Sequence, residues 1–339
     1  MHNNAIAPWK YRSVWYNIYM KKIIAILTLI CLSFGLSAAC AFSAMTQENI
    51  SSDRTDASSE SDGLVVYASF YTMKDFASKI GGERIILNSF MPIGADPHGW
   101  EPTPALISGL ENADVFIYNG AGMEHWVDKV LDTIRNQSLI IVETTAGIHL
   151  LEGSCDNHSS QAHHLHDADP HVWLNPMNAK HQMQVIRDAF VQADPGNSDY
   201  YNNNYEKYAA ELIKLDEEFH EALSGLQNRH IVVAHEAFGY LCDAYGLIQL
   251  GIAGLEANVE PSPSRMARIV DFVRENDISV IFFEASASSR VADAVARETG
   301  ARTAVLSPIE GLTDAQIAAG DDYFSVMRQN LQVLKEELS

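Results

Sequence analysis

The chain has 339 residues, 47% of them hydrophobic, enough to pack one large or two ordinary domains and to exclude a disordered protein. Its formal charge of -21 excludes a nucleic-acid partner, because phosphate contacts need a basic face, and suits a protein that attracts cations.

In chain order, the first informative stretch is Lys21 and Lys22, an apolar run from Ile23 to Leu36, then Ser37, Ala38 and Ala39 before Cys40. A basic head, a short apolar run and a small-residue exit mark a secretory signal, and the run is too short for a membrane span. Residues 1–39 therefore read as an upstream extension and signal peptide, with Met20 as the effective start. Cys40 resembles the lipid-carrying cysteine of bacterial lipoproteins, although the leucine expected three places before it stands four places before, at Leu36. Ordinary cleavage near Ala39 or Ser43, giving a soluble secreted or periplasmic protein, is the alternative. Residues 40–62 are rich in Ser, Asp, Glu and Thr without apolar periodicity and read as a disordered tether.

Short β-branched runs then alternate with helical patterns, the signature of βαβ units. Strands are predicted over Leu64–Ala68, Arg84–Leu87, Asp114–Tyr118 and Leu139–Val142, and again over His230–Ala234, Ile248–Ile252, Ser279–Phe283 and Thr303–Leu306. Between the two series, apolar or aromatic residues from Tyr201 to Leu223 recur every three or four positions, which predicts one helix over about Ser198–Leu226. A last helix is predicted over Asp321–Leu338. The expected fold is α/β: an N-terminal lobe over 63–195, a linking helix over 196–227 and a C-terminal lobe over 228–339. No internal sequence repeat relates the halves. Ligands of such sheets bind beyond the carboxyl ends of strands, here in the cleft between lobes. Cys155 and Cys242 fall in different lobes and are expected as two free thiols.

Histidine is the commonest metal ligand. His158, His163, His164 and His166 crowd into the loop 155–169, ahead of Asp169-Pro170-His171. Such a tract suggests metal capture, with a plain solvated loop as the alternative. It is expected to gather zinc weakly and to be dispensable for tight binding. His98 stands in a second Asp-Pro-His string, and His235 follows a predicted strand. Taken singly, each is as easily a hydrogen-bonded loop histidine. Three such positions on separate segments are what a cleft metal site requires.

Five motifs carry a family resemblance: Asp96-Pro97-His98 with Glu101-Pro102, Asp169-Pro170-His171-Val172-Trp173, His235-Glu236-Ala237-Phe238-Gly239-Tyr240, Glu260-Pro261-Ser262-Pro263, and Phe282-Phe283-Glu284. Together they resemble the substrate-binding lipoproteins of metal-uptake ABC transporters, the family with zinc and manganese members. The resemblance implies two lobes, a rigid connecting helix, a buried cleft metal, a membrane permease as partner and a monomeric, non-enzymatic protein. It places His98, His171 and His235 on the first three ligand positions. Many members carry Asp where Ser307 stands; Ser is a poor zinc ligand, and Glu310, in Pro308-Ile309-Glu310-Gly311-Leu312-Thr313, is taken as the fourth. Three imidazoles and a carboxylate suit Zn2+, whereas manganese-type or iron-type binding is the alternative. A secreted zinc hydrolase fails because Gly239 breaks the His-Glu-x-x-His pattern, and nothing in the sequence supports a primary adhesin role. Glu101 and Glu236 are expected to orient ligands or to form surface links. Glu284 is expected to hydrogen-bond rather than ligate, and Trp100 and Trp173 to wall the site.

Overall fold

The structure, a computed structural model, describes residues 63–92, 94–153, 168–255, 261–285 and 289–339. The signal, the tether, Cys155 and the histidines from His158 to His166 lie outside the described residues.

The N-terminal lobe runs β1 (Leu64–Ala68), α1 (Tyr71–Gly81), β2 (Ile85–Ser89), α2 (Pro104–Gly109), β3 (Val115–Tyr118), α3 (Val127–Leu131), β4 (Ile140–Glu143) and α4 (Pro176–Ala193). Then comes the long helix α5 (Ser198–Leu223). The C-terminal lobe follows with β5 (His230–Val233), α6 (Gly239–Tyr245), β6 (Ile248–Gly251), α7 (Pro263–Glu275), β7 (Val280–Phe283), α8 (Arg290–Thr299), β8 (Arg302–Val305), α9 (Asp314–Ala319) and α10 (Tyr323–Leu338). Strand positions match the apolar runs to within a residue or two. Arg84 ends a short 3-10 turn instead of opening β2.

Both sheets are parallel and share one topology, β2-β1-β3-β4 and β6-β5-β7-β8. The halves therefore repeat in connectivity though not in sequence. In each sheet the strand order reverses beside the first strand of its lobe, so the loops after β1 and β3, and after β5 and β7, open a crevice at the carboxyl ends.

Helix α5 has 26 residues and is about 39 Å long at ~1.5 Å per residue, the width of the domain. Its buried residues Tyr201, Tyr205, Ala209, Leu212, Leu215, Phe219 and Leu223 form one stripe, the reason it stays helical against both lobes. At its start, Asp194 accepts hydrogen bonds from Asn197 Nδ2 and the Tyr201 hydroxyl, fixing the corner between α4 and α5. A single apolar cluster runs through Phe70, Phe76, Trp173, Phe219, Ile309, Tyr323 and Met327, so the lobes share one core. Lys79 of α1 reinforces the join: its Nζ lies 3.0 Å from Asp75 and 2.8 Å from Asp322, at the head of α10. Among the described residues, no helix is long and apolar enough to cross a membrane.

Candidate metal centre

Four segments converge on the cleft. His98 lies in the loop after β2, His171 just before α4, His235 two residues beyond β5, and Glu310 in the loop after β8. One donor atom from each falls within 4.8 Å of all the others. Glu310 Oε1 is the hub, 3.0 Å from His171 Nε2, 3.3 Å from His235 Nε2 and 3.4 Å from His98 Nε2. His171 and His235 are fully buried, whereas the side chains of His98 and Glu310 keep 8% and 10% exposure and form the open edge. The buried Nε2 of His235 has no aligned hydrogen-bond partner, although the Glu310 charge is close.

The far nitrogens of the two buried rings are held by carboxylates. Asp169 Oδ1 lies 2.8 Å from His171 Nδ1 and also accepts from the His171 backbone N–H at 2.9 Å. Glu284 Oε1 lies 2.5 Å from His235 Nδ1. Each carboxylate keeps the proton on Nδ1, which turns the Nε2 lone pair into the cluster and raises the ring's basicity. Glu284 follows β7 and His235 follows β5, the two strands flanking the C-terminal crevice, so the parallel pairing of β5 with β7 brings them together. Asp169 is fixed from both lobes: Tyr240 of α6 donates to its carbonyl, and its own N–H donates to Leu151. Gly239 makes room for it, since a Cβ there would come 2.3 Å from Asp169 Oδ2.

The N-terminal crevice holds another buried carboxylate, Glu124, which accepts from the Ser69 hydroxyl at 2.5 Å and from the backbone N–H of Asn119 and Gly120. Asn119 then donates to the Pro170 carbonyl at 2.9 Å, so the loops after β1 and β3 brace the turn carrying His171.

Burial alone pulls the His235 pKa down, but the hydrogen bond and charge of Glu284, then those of Glu310, outweigh it and push it up to about 10. For His171 burial again lowers the pKa, and Asp169 followed by Glu310 reverses it, leaving it raised. Burial raises the Glu310 pKa, yet the bonds from His171, His235 and His98 hold its carboxyl well below the usual carboxylate range. The centre is thus one ionised carboxylate facing two buried rings whose protons are held more tightly than on a free imidazole.

The other predicted neighbours separate. Trp173 packs beside His171, with ring centroids 5.4 Å apart. Trp100 instead packs on Phe90 and Trp126. Glu101 faces His125 at 3.7 Å in an exposed pair, and Glu236 faces Arg265 at 3.1 Å. The Ser307 hydroxyl oxygen accepts from the Ile309 N–H at 3.2 Å and is not among the clustered donor atoms. The role of Asp169 escaped sequence reading, although Asp two places before His in both Asp-Pro-His strings was a signal. Asp96 accepts from the His98 backbone N–H at 2.9 Å.

We predict that Glu284→Gln and Asp169→Asn, which keep size and remove charge, each weaken metal binding by about 10- to 100-fold. Titration against a competing chelator reads this; wild-type affinity in both variants would show that these carboxylates do not tune the centre.

Three imidazoles and one carboxylate closing a cleft between two α/β lobes are the design of a binding protein for a small cation. The chain belongs to the ZnuA family, described as zinc-uptake complex component A, periplasmic, whose model matches residues 66–337. It is 37% identical over 316 residues to the high-affinity zinc uptake system protein ZnuA of Bacillus subtilis, covering 92% of this chain and 97% of that protein. It is 35% identical to the zinc-binding lipoprotein AdcA of Streptococcus pneumoniae over 82% of this chain, and so spans only 56% of AdcA. The crystal structure of the Zn(II)-bound ZnuA-like domain of the same AdcA superposes with a TM-score of 0.70 at 33% identity, covering 81% of this chain and 99% of that domain.

Proposed function

We propose that this protein captures Zn2+ outside the cytoplasm and delivers it to the membrane permease of an ABC transporter, with His98, His171, His235 and Glu310 as the ligands. One observation carries the reading: three imidazole Nε2 atoms and a carboxylate oxygen from four separate segments lie within 4.8 Å of one another, with Glu310 Oε1 3.0 to 3.4 Å from each nitrogen. Four ligating groups turned on one point are what a single cation satisfies together. The donor set favours zinc: nitrogen-rich, four in number and compatible with a tetrahedron, whereas manganese prefers more oxygen. The naming of the Bacillus subtilis relative for high-affinity zinc uptake supports the same cargo. Hydrolysis is disfavoured because Glu236, the residue beside His235 that would serve as base, is turned to Arg265.

The test is metal analysis of protein purified without chelator or His tag, followed by competition. One tightly held zinc per chain, retained against excess manganese, is expected; an empty protein indifferent to zinc would refute the reading.

We further propose that the mature chain begins at Cys40, carrying lipid, which tethers the lobes to the membrane beside the permease. The signal-like run from Ile23 to Leu36 and the lipoprotein naming of AdcA support it. Intact-mass analysis of membrane-extracted protein should find a diacylated Cys40 at the N-terminus. A soluble form starting elsewhere would remove the anchor and leave export standing.

A further inference from the structure

The residue before Glu310 is strained. Ile309 has a φ of 60°, a left-handed conformation that β-branched side chains avoid because Cβ crowds the backbone. Such a conformation persists only where the surroundings over-determine it. Here the Ile309 side chain is fully buried, and both flanking carbonyls are held. Trp173 Nε1 donates to the Pro308 carbonyl at 2.7 Å, and the Thr72 hydroxyl donates to the Ile309 carbonyl. At the base of the loop, Asn330 of α10 accepts from the Ser307 N–H at 2.9 Å and donates to its carbonyl at 2.7 Å.

The two groups that hold the strained step come from the opposite lobe. Thr72 lies in the first turn of α1 and is fully buried; Trp173 lies two residues beyond His171. The C-terminal loop bearing the carboxylate is thus gripped by the N-terminal lobe. The grip through Trp173 also sets the loop's position relative to His171. Released, Ile309 would relax toward negative φ and rotate the peptide that directs Glu310.

We infer that Thr72 and Trp173 are positioning residues that hold Ile309 in its left-handed conformation and thereby aim the Glu310 carboxylate into the cleft. This rests on Glu310 being a ligand, as proposed above. The inter-lobe contact then completes the coordination sphere as well as stabilising the fold.

Cobalt(II) is the probe, because its visible absorption is strong in four-coordinate and weak in higher-coordinate sites. In the full chain, Thr72→Ser keeps the hydroxyl and should give the wild-type cobalt spectrum. Thr72→Val, of the same shape without the donor, should lose the four-coordinate bands and release zinc about tenfold faster or more, on the scale of lost outer contacts to metal ligands. Wild-type spectrum and release in Thr72→Val would overturn the inference. Faster release with an unchanged spectrum would also overturn it, since Glu310 would still be in place. Should Thr72→Val fail to fold, Trp173→Phe is judged by the same two readouts. A wild-type protein that takes up neither cobalt nor zinc would instead sink the zinc reading itself.

Discussion

Acidification will strip zinc from this protein, with affinity falling by up to about 100-fold per pH unit below neutrality. The slope follows from the protons the cleft holds when no metal is bound. His235 has its pKa raised to about 10, so at pH 7 it carries a proton that must leave before Nε2 ligates, and the His171 pKa is raised by Asp169 and Glu310, so its proton is also held more tightly than on a free imidazole. Each obligatory proton contributes about a factor of ten per pH unit on the acid side of its pKa. Glu310 adds nothing to the slope near neutrality, because its pKa is depressed and it stays ionised. The sign is therefore fixed: affinity climbs as pH rises through neutrality toward the raised pKa values and falls toward acid. Charge makes the exchange favourable, since Zn2+ replaces protons among the carboxylates of Asp169, Glu284 and Glu310. Calorimetry in buffers of different ionisation enthalpy should count about one or more protons released per zinc near pH 7, with the number rising toward acid. An affinity independent of pH between about 5 and 8 would contradict the proton inventory.

Replacing Glu310 with Ala should weaken zinc by at least about tenfold, a loss of ~1.4 kcal/mol, and speed its release. Glu310 supplies the one negative charge that contacts all three imidazoles, at 3.0 to 3.4 Å. Without it, three neutral nitrogens would face a divalent ion in a closed cleft, where uncompensated charge is costly. Water brings no charge in its place, and with the open edge of the cleft admitting more than one solvent molecule, cobalt in the Glu310→Ala protein should rise above four-coordinate and lose its strong visible bands. Ser307→Ala is the control. The Ser307 hydroxyl is engaged with the Ile309 N–H, outside the cluster, so its loss should cost far less. Were Ser307→Ala the more damaging change, the fourth position would have been misassigned.

Much of this arrangement was legible in the chain. Alternation of β-branched runs with helical patterns located the eight strands of the described residues, because parallel strands buried on both faces must be apolar. The three histidines that converge were visible because proline-flanked Asp-Pro-His strings and a strand-end position leave few directions for a side chain, whereas Glu310 was offered only by the family resemblance. What stayed hidden depends on long-range pairing. Nothing local joins Glu284 to His235, 49 positions earlier; the adjacency exists because β5 and β7 pair in parallel. In both Asp-Pro-His strings the Asp accepts from the His backbone N–H, and that Asp169 also holds the His171 ring at 2.8 Å is settled by packing that the string does not reveal. The shared topology of the two sheets left no trace as a repeat, since connectivity is set by which edges pair rather than by residue identity. Trp100 packs on Phe90 and Trp126 and also against the core cluster that holds Trp173, contacts set by packing that its local sequence does not show. The long helix ends at Leu223 rather than continuing to Leu226, with Gly225 just beyond as a poor helix former.

Diffraction from crystals grown with zinc, recorded on both sides of the zinc absorption edge, tests the central claim most directly. One anomalous peak is expected in the cleft, about 2.0–2.2 Å from the Nε2 atoms of His98, His171 and His235 and from one oxygen of Glu310, in a tetrahedral array. A peak away from these residues, or a zinc held by the three histidines and water with Glu310 turned aside, would contradict it.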